Sequence, residues 1–166
     1  MPPKLVAYVA LAWVPHTLAY VAAPLLVSRL GARHGWRNGR PGAPNTPGLP
    51  LVAAGAALIG WAIVSHYRDS PRGVQATARP DYLVTTGAYA TTRNPLYLGG
   101  GAMWAGWAVL LGSIEIAAIG TLLFSFLVLV GVPYEERLLH AKMGLTYDAY
   151  RAEVPRWLGF KRGRHS

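Results

Sequence analysis

The 166-residue chain contains no cysteine, only seven acidic residues, and only 14% charged residues in all, against roughly 25% in an ordinary soluble domain. Without cysteine there is no disulfide, no thiolate nucleophile, no Cys-ligated zinc or iron–sulfur centre and no palmitoylation. The few charges cannot cover a water-facing surface, and 52% of the residues are hydrophobic, so composition points to a membrane protein. A serine nucleophile elbow, a phosphate loop and a dinucleotide fingerprint are also missing, which removes the common soluble enzyme classes. The five histidines, His16, His34, His66, His140 and His165, have no metal-ligand spacing, and no metal site is expected.

What the chain does have is positive charge and long apolar runs. The net charge of +9 would suggest nucleic acid for a soluble protein. Here the basic residues fall outside the apolar runs, so they read as anchors at anionic headgroups and as topology signals, with no nucleic-acid partner. Four apolar stretches stand out, Leu5 to Leu30, Gly48 to Tyr67, Pro95 to Gly112 and Ser113 to Val132. Each is near the roughly 20 residues that cross about 30 Å of hydrocarbon. The expected fold is therefore all-α, a single integral membrane domain over 1–166 with about four transmembrane helices, the first two lying within 1–67. Pro15 and Pro24 should kink the first helix, and Gly112-Ser113 should turn a tight helical hairpin.

With four spans, the N-terminus, the 68–94 loop and the C-terminal tail share one side, where twelve Lys and Arg face four on the other. The positive-inside rule puts the twelve in the cytoplasm and the protein in the cytoplasmic membrane. The four are Arg29, Arg33, Arg37 and Arg40, an unusual set for an external loop. The Gly39 to Pro50 stretch that follows is rich in Gly and Pro and reads as a surface connection.

Two polar clusters fall on the cytoplasmic side. In the first, Asn94-Pro95 is a helix start, with the Asn side chain expected to accept from orphan N–H groups and Pro needing no donor. Arg93 and Asn94 thus sit at a helix mouth whose N–H groups and dipole suit a carboxylate or phosphate. Gly99, Gly100 and Gly101 leave faces open to a flat ligand or, by the small-xxx-small rule, to a packed helix. In the second, Glu135-Glu136 follows an apolar run directly, either capping a helix over about Tyr134 to Met143 or holding a cationic ligand. That helix is expected to lie on the interface as an amphipathic element. Gly144 ends it, and Thr146 is the expected N-cap of a short helix bearing Tyr147 and Tyr150. Arg156 and Trp157 either fold back over the site or form an interfacial anchor.

The two clusters together resemble the C-terminal half of the isoprenylcysteine carboxyl methyltransferase and phospholipid methyltransferase superfamily of integral membrane enzymes. The matching pieces are Gly87-Ala88-Tyr89, Arg93-Asn94-Pro95-Leu96-Tyr97-Leu98-Gly99, a hydrophobic hairpin, Glu135-Glu136, Gly144 with Tyr147 and Tyr150, and Val154-Pro155. The resemblance covers about residues 80–158. It implies methyl transfer from S-adenosylmethionine to a lipid-like or small hydrophobic acceptor, with the cofactor held by Gly87, Tyr89, Arg93, Asn94, Tyr97, Gly99, Glu135, Glu136, Tyr147 and Tyr150. Glu135 and Arg156 are the catalytic candidates. The family usually has His at the position of Asn94, and an amide replaces a hydrogen bond but not a proton shuttle. Membrane lipids are expected partners, and the small-residue faces from Ala56 to Gly60 and from Gly101 to Ala105 suit a homodimer. Two competing readings remain, an NADPH-dependent membrane oxidoreductase of the sterol reductase type and a non-enzymatic self-associating membrane module.

Overall fold

The computed structural model describes residues 14–69 and 82–158. The start of the first apolar stretch at 5–13 lies outside the described residues, as do Lys4, Arg72, Arg79 and the basic residues beyond position 160. Five helices follow one another: α1 (Val14–Val27), α2 (Gly48–Asp69), α3 (Pro95–Leu111), α4 (Ile114–Met143) and α5 (Leu145–Glu153). The chain is mostly helical. Two helical stretches, Ala43–Asp69 (the short turn Ala43–Asn45 running into α2) and Ile114–Met143 (α4), are long and apolar enough to cross a membrane. Val14–Val27 and Pro95–Leu111 are shorter, so length and composition alone support two spans and not the expected four.

The α2–α3 pair is the most extensive helix contact in the fold, and glycine makes it possible. A Cβ on Gly55 would meet the Gly99 carbonyl oxygen and Met103, and one on Gly99 would meet Ile59 and the Gly55 carbonyl oxygen. Small residues let the two backbones approach until they pack along their length. Around this seam Ile59, Ile63 and Met103 are buried, with Tyr20, Trp107 and Leu96 packed against them. Gly100 lies under the Tyr20 ring and Gly101 under Phe124, so the glycine run is consumed by packing within the chain and leaves no slot for a flat ligand. Gly101, expected on a self-association face, therefore has an intramolecular neighbour, while Ala56 of α2 stays exposed.

The hairpin between α3 and α4 forms as expected. Gly112 takes a left-handed φ of 58° at the end of α3, and Ser113 caps α4 by accepting from the Ile116 N–H at 3.2 Å. Two local expectations are corrected and one gains a detail. First, no separate helix begins near Tyr134: α4 runs unbroken to Met143, passing through a π-turn at Leu127–Gly131. Pro133 does not break it, because an i→i+5 turn just before it has already widened the backbone ladder. Glu135 and Glu136 are therefore mid-helix residues and cap nothing. Second, the first helix, expected to kink at its prolines, carries a π-turn at Leu18–Ala22, two residues before Pro24. Third, α5 starts at Leu145 straight after Gly144, whose φ of 53° turns the chain, and Thr146 is not its cap.

The connection from α1 to α2 is not featureless, and the fold is not purely α. Trp36–Arg37 and Arg40–Pro41 pair as a two-stranded antiparallel hairpin. Asn38 and Gly39 at its tip both have positive φ, 48° and 74°, as a type I′ turn requires. The end of the bundle that carries this loop lies opposite the end where α3 begins. The 22 residues of α2 separate the two by about 33 Å at 1.5 Å per residue.

Candidate functional site

The site assembles where the start of α3, the middle of α4 and the tail after α5 meet. Arg93 precedes α3, and its Nη1 lies 2.9 Å from Glu136 Oε1 and 3.3 Å from the Tyr147 hydroxyl. Arg156 approaches the same carboxylate from the other side, Nε to Oε1 at 3.0 Å and Nη2 to Oε2 at 2.5 Å. The Arg93 and Glu136 side chains are 10% and 11% exposed. Two guanidinium groups thus share one largely buried carboxylate, and a positive charge is left over. The Arg93 Nε is buried and has no acceptor among the described residues.

The neighbouring carboxylate is treated differently. Glu135, one residue earlier, accepts from the Tyr97 hydroxyl at 2.8 Å. A helix advances about 100° per residue, so adjacent residues on α4 address two different surroundings.

The tail is strapped across the mouth of α3. The Arg93 N–H donates to the Pro155 carbonyl at 2.9 Å, Asn94 Nδ2 donates to the Arg156 carbonyl at 2.9 Å, and Thr92 Oγ1 donates to the same oxygen at 3.1 Å. This corrects the helix-mouth expectation. Asn94 does not cap α3 with its side chain; its amide faces outward to hold the tail, and the Arg93 N–H is spent on the same strap. Arg156 and Trp157 do fold back, with the indole 5.9 Å from the Phe124 ring.

Tyr147 and Tyr150, expected to enclose the cofactor, are 1% and 8% exposed and form a core with Val154. Their hydroxyls do the polar work. Tyr147 accepts from Arg93, and Tyr150 donates to the Tyr89 carbonyl at 2.8 Å. Burial pushes both phenols above the ordinary tyrosine value; the Glu136 charge adds to the rise at Tyr147, and Arg93 opposes it at both. The hydrogen bonds from Arg156 to Glu136 hold the guanidinium above its usual value.

Two of the expected contacts are structural. Gly87, at φ 58°, lets the Gly87–Ala90 turn sit against Ser65 of α2, and Ser65 Oγ accepts from the Ala88 N–H at 3.2 Å. Gly99 is buried in the α2–α3 seam. The structure therefore joins Arg93, Glu136, Tyr147 and Arg156 directly, adds Tyr150 and Tyr89 behind them, sets Tyr97 with Glu135 beside them, and leaves Gly87 and Gly99 to packing. Sequence reasoning missed Thr92, which is 1% exposed and visible only as a hydroxyl preceding Arg-Asn-Pro. It also missed His66, whose ring packs edge-on against Tyr89 at 5.5 Å and against Tyr82 at 5.7 Å. The one signal for His66 was its place at the end of the second apolar run, on the same face as the polar clusters.

A family model described as phospholipid methyltransferase matches residues 47–144. The match begins just before α2 and ends at Gly144, so it takes in Arg93, Tyr97, Glu135 and Glu136 while the strap beyond α5 lies outside it. No curated protein and no solved structure matches the chain.

Proposed function

We propose that this chain, which belongs to the phospholipid methyltransferase family, is a membrane methyltransferase that uses S-adenosylmethionine to methylate a lipid-like or small hydrophobic acceptor. The observation that carries this reading is the unequal treatment of two adjacent glutamates. Glu136 is clamped by Arg93 and Arg156, whereas among the described residues Glu135 accepts from Tyr97 alone. One end of the bundle thus offers an excess positive charge at Glu136 and, on the next residue of the same helix, a carboxylate held by a phenol.

That pairing suits the amino-acid end of S-adenosylmethionine, which carries a carboxylate and an ammonium. Arg93 has an unmet donor, the buried Nε, and an unmet buried donor costs about 1–3 kcal/mol, so a carboxylate there would relieve a deficit already present. Glu135 is the group for the ammonium, by a charge-assisted hydrogen bond. The residues fit the cofactor. When bound, it supplies a methyl group on a sulfonium centre, ready for in-line transfer to a nucleophile.

The chain's own contribution is positioning and the exclusion of water. Tyr147 fixes the Arg93 guanidinium, Tyr150 ties α5 to the Gly87–Ala90 turn, and the Pro155–Arg156 strap closes the mouth of α3. Arg156, whose contact is with Glu136, acts as a positioning residue. The acceptor comes from the lipid phase, and four helices cross the membrane with this end in the cytoplasm, in keeping with the twelve basic residues on that side.

The test is thermal unfolding of the detergent-solubilised protein with S-adenosylhomocysteine, S-adenosylmethionine or NADPH. Both adenosyl ligands should raise the midpoint, and Glu135→Gln, an exposed substitution, should remove most of that rise while leaving the unliganded midpoint in place. A rise with NADPH alone would move the protein to the reductase class. No response to any of the three would favour a non-enzymatic module.

A further inference from the structure

The opposite end of the bundle carries a second built feature. Loop 28–47 is pinned to the α3–α4 turn by three hydrogen bonds: the His34 N–H to the Gly112 carbonyl at 2.9 Å, Asn45 Nδ2 to the Val109 carbonyl at 2.8 Å, and Trp36 Nε1 to the Leu110 carbonyl at 3.0 Å. On this anchored frame Arg29, Arg33, Arg37 and Arg40 are all exposed. The hairpin register sets Arg37 directly opposite Arg40, and like charges facing each other across a strand pair are destabilising. The Arg33 guanidinium lies 4.6 Å from the centre of the Trp36 ring, which fixes a third positive charge at the base of the same hairpin. Among the described residues none of the four arginines forms an ion pair. The nearby acid, Glu115, accepts from Ser113 Oγ and sits against Gly31.

Beside this basic hairpin lies a groove of about 420 Å³. Ala108, Val109, Ile114 and Ala117 give it an apolar wall, and Pro44 and Asn45 face them from the loop. Asn45 is 4% exposed, and its Oδ1 has no donor among the described residues. The hairpin springs from the rim of the groove at His34 and Gly35. A cluster of cations held together at a cost, next to an apolar slot at the end of a membrane bundle, has the chemistry of a site for a molecule with an anionic head and an apolar tail.

We propose that the 33–40 hairpin and the adjoining groove bind one anionic phospholipid on the membrane face opposite the candidate active site, with the phosphate on Arg33, Arg37 and Arg40 and an acyl chain along the α3–α4 wall. The inference rests on the reading of the bundle as membrane-spanning. It does not depend on the cofactor. The bound phosphate relieves the Arg37–Arg40 repulsion, and the basic loop is thereby a lipid contact and not a topology signal. Three arginines at about fivefold each correspond to about a hundredfold preference for an anionic over a zwitterionic lipid.

The experiment uses the full chain in dodecylmaltoside with phosphatidylglycerol, phosphatidylcholine or inorganic phosphate added, and follows the unfolding midpoint across each titration. Phosphatidylglycerol should raise it at about a hundredfold lower concentration than phosphatidylcholine. The triple variant Arg33→Gln/Arg37→Gln/Arg40→Gln should abolish that difference, Arg37→Lys/Arg40→Lys should largely keep it, and Ala117→Trp, which fills the groove and leaves the charges alone, should weaken it. Equal effects of the two lipids, or an undiminished phosphatidylglycerol effect in both the triple variant and Ala117→Trp, would overturn the proposal. A response to inorganic phosphate matching that to phosphatidylglycerol would also overturn it, in favour of a soluble-anion site. The S-adenosylhomocysteine response, measured in the same samples, reports on the active-end reading separately.

Discussion

Glu136 and Glu135 are adjacent in the chain and identical in chemistry, yet the fold gives them opposite tasks. Glu136 is shared by a buried and a half-exposed arginine, and among the described residues Glu135 meets only a phenol at the surface of α4. Breaking a buried pair by removing one partner leaves an uncompensated charge and costs about 3–5 kcal/mol. Glu136→Gln would leave Arg93 and Arg156 close together with no anion between them, so we expect a loss of about 3 kcal/mol. Arg156→Gln, whose side chain is 43% exposed, should cost about 1 kcal/mol or less. Denaturant titration of the solubilised variants checks this ordering; an Arg156→Gln loss as large as that of Glu136→Gln would show that the clamp does not share its load in this way. The residue types of the cluster were legible in the sequence because charges beside apolar runs are conspicuous. Their division of labour was not, since it depends on which side of α4 the tail returns to.

At the scale of elements, glycine has several distinct uses. Gly112 and Gly144 turn the chain with positive φ, a local requirement that sequence position reveals. Gly55 and Gly99 instead let two helices touch, and a glycine in an apolar run does not announce its partner. We expect Gly55→Val to destabilise the bundle by about 3 kcal/mol, near the upper range for overpacking, because the new side chain meets backbone at the Gly99 oxygen. Gly131→Ala, whose nearest neighbour would be a Leu127 methyl at 3.3 Å, should be close to neutral. Unfolding midpoints of the two variants in the same detergent test the contrast, and equal losses would argue against the close α2–α3 seam. The Asn38-Gly39 hairpin was available to a sequence reading as the strongest short turn signal there is, but was hidden because the surrounding Gly and Pro suggested an irregular connection. The unbroken α4 was hidden for a different reason. Pro133 reads as a helix start, and a π-turn has no composition of its own.

At the scale of the whole molecule, the two ends of the bundle have different chemistry. One gathers the Arg93–Glu136–Arg156 clamp, and the other carries four exposed arginines on an anchored loop. Between them α4 presents Leu122, Phe126 and Leu129 outward at 71%, 60% and 73% exposure, an apolar surface that a membrane would cover. Because the chain has no cysteine, single cysteines report topology without background. Ala32→Cys in the loop and Ala152→Cys in α5, both exposed positions, should react with a membrane-impermeant maleimide from opposite sides of sealed vesicles. Reaction from one side only would overturn the spanning arrangement.

The sequence by itself determined what is local or additive. Apolar runs of the length of a bilayer, the excess of positive charge, the turns at Gly112 and Gly144, and the order of motifs shared with the family are all set by residues read a few at a time. Only the tertiary structure decided which arginines meet which glutamate, that Asn94 holds the tail instead of capping its helix, that Tyr147 and Tyr150 are core residues, and that the basic loop is an ordered platform beside a groove. Each of these is a pairing between residues more than ten positions apart, and over sixty for Asn94 and Arg156. Such pairings follow from how the helices pack and where the tail returns, and no window of sequence contains that information.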